Sequence, residues 1–236
     1  MHSRTPWVLI PTYNERLNIE RMIIALFALN IPHLTVLIVD DNSPDGTAGV
    51  VRNLQKKYDR LKLVVREHKA GLGRAYIHGF EYALAAGASA VVQMDADFSH
   101  DPADVPRLLE KLTTHALVLG SRYAHGISVI NWPLRRLLIS IIGNTYARLI
   151  TGIPYKDLTG GFKAWRAQAL QAIALEQIVA DGYGFQIVAT YRAWKKGLSI
   201  IEIPIVFTER REGQSKMSKA IIIEALWVVW RLRLFG

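Results

Sequence analysis

Asp95 and Asp97, one residue apart, end the apolar run Val91-Val92-Gln93-Met94, and Pro102 follows shortly after. Like charges this close repel each other unless something positive lies between them. At the end of a buried strand, with side chains converging over an open sheet edge, a divalent cation fills that role. A second account needs no ligand: one aspartate caps the helix that Pro102 opens. Two earlier apolar runs also end in polar groups. Pro11-Thr12-Tyr13-Asn14-Glu15 offers a ring and a carboxylate that can bracket a nucleobase, though Asn14 can equally cap a helix. Asp40-Asp41-Asn42-Ser43-Pro44 brings two acids to a strand end, placed to accept hydrogen bonds from a base or ribose. Here too Ser43-Pro44 fits an ordinary helix start.

Cations gather in later segments. Lys69-Ala70-Gly71-Leu72-Gly73-Arg74-Ala75-Tyr76 lacks the third glycine of a dinucleotide fingerprint and the Walker lysine. Its glycines permit close backbone approach, and Lys69 or Arg74 is placed to meet a phosphate. Glu209-Arg210-Arg211-Glu212-Gly213-Gln214-Ser215-Lys216 combines guanidinium, amide, hydroxyl and ammonium donors, a set that can neutralise a diphosphate. A solvated charged loop has the same composition.

The elements that must position these groups alternate. Trp7–Ile10, Thr35–Val39, Leu61–Val65, Ala90–Met94 and Leu117–Leu119 read as short buried strands. Helix-spaced apolar residues fill Leu17–Leu29, Thr47–Tyr58, Ala75–Ala86 and Ala103–Leu112. The alternation predicts an α/β fold with a mostly parallel sheet flanked by helices. Ligands of such sheets bind beyond the carboxyl ends of the strands. After Leu119 the pattern changes. A helix with a basic edge is predicted over Trp132–Ile150, carrying Arg135, Arg136 and Arg148. The glycine turn Asp157-Leu158-Thr159-Gly160-Gly161-Phe162 follows. A helix from Asp181 to about Lys196, a strand over Leu198–Phe207 and an amphipathic helix over Ile221–Phe235 complete the chain.

Half of the 236 residues are apolar, ample for a core, yet no run reaches the roughly 20 apolar residues of a membrane span. No signal peptide pattern opens the sequence. The absence of cysteine excludes a thiolate nucleophile and Cys-ligated metals. A net charge of +9 points to an anionic partner: nucleotide, phosphorylated substrate or lipid surface. The basic residues form neither a recognition helix nor an aromatic-interleaved platform, so nucleic acid is not an expected partner.

Taken in order, Pro11–Glu15, Asp41–Thr47, Gly71-Leu72-Gly73 and Met94–Pro102 resemble the family 2 glycosyltransferases of the GT-A fold. Ser121-Arg122-Tyr123, Asp157–Phe162, Gly182-Tyr183-Gly184-Phe185-Gln186 and Arg210–Lys216 narrow the resemblance to the dolichyl- and polyprenyl-phosphate mannosyltransferases. It spans Val8 to about Met217. The resemblance implies a GT-A catalytic domain over 1–217, with a nucleotide-binding part to about 120 and an acceptor part from about 121. Residues 218–236 would form a C-terminal amphipathic helix. It also implies inverting transfer of mannose from GDP-mannose to a dolichyl or polyprenyl phosphate. Asp95 and Asp97 would hold Mg²⁺ or Mn²⁺. Pro11, Tyr13, Glu15, Asp41, Ala96 and Gln186 would meet the nucleotide sugar, and Arg122, Arg136, Arg210 and Lys216 the phosphate groups. Asp95, Asp97, Arg122, Arg210 and Lys216 form the implied catalytic set. Two positions depart from the pattern: Ser99 stands where some relatives carry a glutamine metal ligand, and Val188 where others carry a glutamate. The C-terminal membrane helices of many relatives have no counterpart here. The expectation is peripheral attachment to the cytoplasmic face of a membrane, through surface helices or a membrane-anchoring partner subunit. That membrane would be the plasma membrane of a prokaryote or the endoplasmic reticulum of a eukaryote.

The chemistry agrees with the residues available. A metal neutralises charge on a departing diphosphate, and a phosphate acceptor is ionised near neutral pH, so no strong general base is needed. Beside a non-enzymatic basic module that binds nucleic acid or a membrane, two enzymatic alternatives stay open. One is a polyprenyl-phosphate glucosyltransferase using UDP-glucose. The other is a haloacid-dehalogenase-like phosphatase, whose Asp-x-Asp-x-Thr motif Asp95–Ser99 approaches but whose nucleophile follows the first strand.

Overall fold

The structure, a computed structural model, describes residues 5–178, 180, 182–209 and 219–235. Its first half follows the predicted alternation: β1 (Pro6–Thr12), α1 (Arg16–Ala28), β2 (Thr35–Asp40), α2 (Thr47–Gln55), β3 (Leu61–Val65), α3 (Leu72–Ala85) and β4 (Ala90–Gln93). A 3-10 turn over Pro102–Asp104 leads into α4 (Val105–Lys111), then β5 (Leu117–Ser121), the two-residue β6 (Val129–Ile130) and α5 (Leu134–Thr151). The remainder comprises β7 (Lys163–Arg166), α6 (Ala167–Ala172), α7 (Gly182–Lys195), β8 (Ile200–Pro204), β9 (Phe207–Thr208) and α8 (Lys219–Phe235).

Seven strands form one sheet in the order β3-β2-β1-β4-β7-β5-β8. The chain winds outward from β1 through β2 to β3, then crosses back to lay β4 on the other side of β1. All these pairings are parallel. The reversal of winding between β2 and β4 opens a crevice at the carboxyl end of β1, where doubly wound sheets bind ligands. Strand residues alternate between two cores. Leu9, Leu37 and Val39 pack towards α3 and α7, while Val8, Ile10, Val36 and Ile38 pack beneath α1 and α2. Helix α3 lies so close to β1 that a Cβ on Gly79 would come within 2.4 Å of Leu9 Cδ1.

The sequence reading missed β7, which runs antiparallel between β4 and β5. Its four residues, Lys163-Ala164-Trp165-Arg166, lack a strand's apolar alternation because buried Lys163 and Trp165 share a face with polar partners. Arg166 also ties the strand to the end of α4, donating to the carbonyls of Leu112 and Thr113 (both 2.7 Å). The strand expected over Leu198–Phe207 divides into β8, which pairs with β5, and β9, which leaves the main sheet to pair with β6. α8 packs on α7 and α5, burying Val228 and Val229.

Candidate functional site

Three strand ends meet at the crevice, and each turns through a residue with positive φ: Asn14, Asn42 and Phe98. Asparagine tolerates this left-handed region; a phenylalanine there is strained. The turns after β1 and β2 are stitched together by a carboxylate. Asp40 accepts hydrogen bonds from Thr12 Oγ1 (2.7 Å) and Ser43 Oγ (2.6 Å) on one oxygen, and from the Ser43 amide (2.8 Å) on the other. It is fully buried, so the expectation that Asp40 faces a base or ribose is corrected: Asp40 is a pin between loops. Asp45 pins the same turns to two helix starts, accepting from the amides of Arg16 (3.0 Å) and Thr47 (2.9 Å).

Asp41 is the acid left towards the crevice. Burial raises its pKa, and Arg66 opposes the rise through an ion pair of 2.9 Å. Arg66 follows directly on β3, a third strand end that the sequence reading passed over because its apolar run closes in a single cation. Pro11, Tyr13 and Glu15 lie half-exposed at the end of β1. The ammonium of Lys69 sits 4.0 Å from the centre of the Tyr13 ring. Arg74 is exposed on α3.

After β4 the two acids differ in environment. Asp95 is more exposed, with Tyr76 donating to its Oδ1 at 3.5 Å. Asp97 is buried, and its Oδ1 accepts from the Ser99 hydroxyl (2.6 Å) and amide (3.1 Å). The left-handed turn at Phe98 lets Ser99 fold back onto it. Ala96 between them is buried. His100 supports the turn from below: its Nδ1 accepts the Asp95 amide hydrogen (3.2 Å), which puts its own proton on Nε2. The ring stacks on Phe162 and meets Phe207 edge-on, and burial lowers its pKa. No group of three or more His, Asp or Glu side chains among the described residues is arranged around a metal. Two carboxylates do suit Mg²⁺ or Mn²⁺, which keep waters and substrate phosphate oxygens in the remaining positions. Gly161 borders the same space, with a Cβ position 3.7 Å from Asp95 Oδ1, at ordinary contact distance.

Arg122 follows β5 and is held by one carboxylate. Asp157 accepts from the Arg122 amide (2.9 Å), Nε (2.7 Å) and Nη2 (2.6 Å), and from the Gly160 amide (3.0 Å). Burial alone would raise the pKa of Asp157, but Arg122 reverses this and holds it below the ordinary carboxylate value. Nη2 also donates to Thr159 Oγ1 (2.8 Å), and Asn144 of α5 secures the loop by accepting from the amides of Leu158 (2.8 Å) and Thr159 (3.2 Å). The rings of Tyr123, Trp132 and Phe207 surround the guanidinium at 5.3–5.6 Å. Arg136, near the start of α5, stacks on Trp132 at 4.3 Å and pairs with Glu209.

These groups form one end of a cavity of about 340 Å³ between α5 and α8. Arg122, Arg136, Trp132 and Ser140 line that end. Ile139, Ile142, Ala147, Leu226 and Val229 line the rest. From Arg136 to Ala147 the lining follows α5 for roughly 16 Å, at 1.5 Å per residue. The buried indole Nε1 of Trp132 has no hydrogen-bond partner among the described residues. The cavity therefore fits an amphipathic guest with an anionic head and an apolar tail.

Gln186 is buried on α7, and its Oε1 accepts from Gln93 Nε2 (2.9 Å), whose own Oε1 accepts from Trp165 Nε1 (2.9 Å). Its Nε2 has no partner among the described residues. Beneath it, buried Lys163 donates to the Gln186 carbonyl (2.8 Å) and Thr190 Oγ1 (2.9 Å), and burial pulls its pKa down to about 7. Sequence reasoning missed this cluster because β7 supplies two of its members. Arg210 and Lys216, from the expected phosphate-binding loop, lie outside the described residues. Asp95 follows the fourth strand, which does not fit the first-strand nucleophile of the dehalogenase-like phosphatases.

Comparison with known proteins bears on the family and the fold. A profile described as Glycosyl transferase family 2 matches residues 7–174. The chain is 45% identical over 230 residues to the polyprenol monophosphomannose synthase of Mycolicibacterium smegmatis, covering 96% of this chain and 86% of that protein. It is 44% identical over 225 residues to the undecaprenyl-phosphate mannosyltransferase of Micrococcus luteus, covering 94% and 91%. Among solved structures, glucosyl-3-phosphoglycerate synthase of Mycobacterium tuberculosis in complex with Mn²⁺, UDP and glucosyl-3-phosphoglycerate superposes with a TM-score of 0.69. It shares 21% identity over 96% of this chain and 79% of that one. A complex of the same enzyme with Mn²⁺, UDP and phosphoglyceric acid gives 0.71 at 20% identity, covering 99% and 80%. The mostly parallel, helix-flanked sheet is a GT-A fold.

Proposed function

The chain belongs to glycosyl transferase family 2 and is a hexosyltransferase, and from that premise we propose that it transfers mannose from GDP-mannose to a polyprenyl phosphate, with inversion. The observation that carries this reading is the cavity between α5 and α8, whose arginine end and apolar remainder match a phosphate on a long hydrocarbon. The two relatives reported above are named for polyprenol or undecaprenyl phosphate and for mannose, which supports the same acceptor and sugar.

In this reading the nucleoside lies against Tyr13 and Asp41, with Arg66 orienting the carboxylate. Asp95 and Asp97 would hold Mg²⁺ or Mn²⁺, which would supply charge neutralisation for the leaving group. Arg122, fixed in direction by Asp157, and Arg136 bind the acceptor phosphate and turn one of its oxygens towards the sugar. That oxygen attacks the anomeric carbon. The bond from this carbon to the GDP β-phosphate oxygen breaks, and GDP leaves with the electron pair. The acceptor is already ionised, so no side chain need remove a proton. The aromatic enclosure of Arg122 limits water, which would otherwise compete as acceptor.

A panel of nucleotide sugars with a polyprenyl phosphate and Mn²⁺ tests the reading. Transfer from GDP-mannose, lost on chelation of the metal, is the expected outcome. Transfer only from UDP-sugars would establish the glucosyltransferase alternative, and transfer only to water-soluble acceptors would overturn the role of the cavity.

A further inference from the structure

Helices α5 and α8 both keep a strongly apolar side away from the domain. On α5 the outward positions Leu134, Leu138, Ile142 and Leu149 lie one or two turns apart, and Leu149 is 79% exposed. On α8 the outward positions are Leu226, Trp227, Trp230 and Leu234, which fall within an arc of about 100°. Val228, Val229 and Leu232 occupy its inner side. The two outer stripes meet at the cavity mouth, because exposed Ile142 and Leu226 both line it, and Tyr146 Oη ties the helices by donating to the Leu226 carbonyl (3.3 Å). No described helix is long and apolar enough to cross a membrane. An apolar face of this extent marks an interaction surface.

Charge on the flanks identifies what covers it. Arg231 and Arg233 border the α8 stripe on opposite sides, and the Arg231 guanidinium lies 5.9 Å from the Trp227 ring. Beyond Arg231 a groove of about 520 Å³ runs between α7 and α8, with Arg192, Lys195 and Lys196 on its far wall and Val188 and Val228 beneath. Arg192 is fixed there by donating to the carbonyls of Ile173 (3.0 Å), Ala174 (2.7 Å) and Gln177 (3.1 Å), with Glu176 offsetting part of its charge. Lys195 and Lys196 remain exposed. A second copy of the chain would bring arginine against arginine at such a rim. A leaflet with anionic headgroups meets the apolar stripe and its basic border together, with tryptophan at headgroup depth.

Taking peripheral attachment through these helices as the premise, we propose that the groove beside α8 takes the anionic headgroup of a phospholipid from the leaflet that the outer face of α5 and α8 meets. This headgroup site is separate from the acceptor cavity: the two open on opposite flanks of α8, and they share no lining residue. Membrane capture is therefore selective for anionic lipid whether or not acceptor is present, and the cavity mouth faces the leaflet.

The test is co-sedimentation of the full chain, without sugar donor or polyprenyl phosphate, with phosphatidylcholine vesicles and with vesicles partly replaced by phosphatidylglycerol. Its failure would leave the proposed transfer reaction standing. Strong binding to the anionic vesicles and weak binding to the neutral ones is expected. Lys195→Gln with Lys196→Gln should lower anionic binding roughly thirtyfold and leave the neutral value unchanged. Trp227→Ser with Trp230→Ser should lower both. Far-ultraviolet circular dichroism and GDP binding check that each variant is folded. Unchanged anionic binding in the lysine variant would remove the headgroup groove, and unchanged binding in the tryptophan variant would remove the docking face. Self-association abolished by the tryptophan changes would assign the face to a second copy. Full displacement from vesicles by soluble glycerol phosphate would make the groove a soluble-phosphate site.

Discussion

The half of the sheet built from β1 to β4 and the half built after it solve the same problem by different means. Both must hold charged groups at a strand end without leaving them unpaired. In the first half the pins join neighbouring βα units of one repeating pattern: Thr12 to Asp40, Glu15 to Thr47 and Arg66 to Asp41 are separated by 28, 32 and 25 residues. In the second half an antiparallel strand interrupts the pattern, and the pins reach further. Gln93 meets Gln186 across 93 residues and Arg136 meets Glu209 across 73. Arg122 there depends on the buried counter-charge of Asp157, whereas Asp97 in the crevice depends on the turn that brings Ser99 back to it. The first half repeats one local device, and the second relies on contacts between distant segments.

Substitutions that separate the halves test this difference. Asp97→Ala should reduce transfer by about a thousandfold, because several kcal/mol of charge stabilisation is lost with the metal. The unfolding midpoint should change little. Retained transfer with Mg²⁺ would break the assignment of the acid turn to the donor side. Asp157→Ala should act on the other half and on the fold itself, since it strands the buried Arg122 guanidinium. A stability loss of about 3–5 kcal/mol is expected in denaturant titration, and a near-neutral result would mean that Arg122 finds other support. Arg136→Ala, which removes a half-exposed cation, should raise KM for the polyprenyl phosphate about tenfold and leave KM for the nucleotide sugar unchanged. Equal effects on both constants would blur the boundary between the halves.

A last test concerns Lys163. Its folded pKa of about 7 lies below the ordinary 10.5, so the unfolded chain binds the extra proton between those values. Stability therefore rises with pH from about 7 towards 10.5 and is insensitive to this group below that window. Lys163→Met should flatten the rise in denaturation midpoints recorded across the window. An identical slope in both proteins would show that Lys163 is charged in the folded state.

Much of the first half was legible in the chain because a parallel strand buried on both faces is a run of apolar residues, and a run that stops at Asp41 or Asp95 announces its own loop. Residue type did not reveal availability there: Asp40 and Asp41 are adjacent and chemically identical, yet one is consumed by Thr12 and Ser43 and the other faces Arg66. The second half was less legible. Lys163 and Arg166 disguise β7, since a strand whose buried positions hold a lysine and an indole paired with glutamines carries no periodic apolar signal.

The order of motifs, the strand-end acids and the excess of cations were decided by the sequence, because hydrophobic periodicity and charge are local properties of a chain. Tertiary structure decided which of those groups stay available. It set Asp157 beneath Arg122, folded Ser99 onto Asp97 and laid α8 beside α5 to make an amphipathic cavity. Those outcomes depend on backbone turns and on how the helices pack, which residue type alone does not fix.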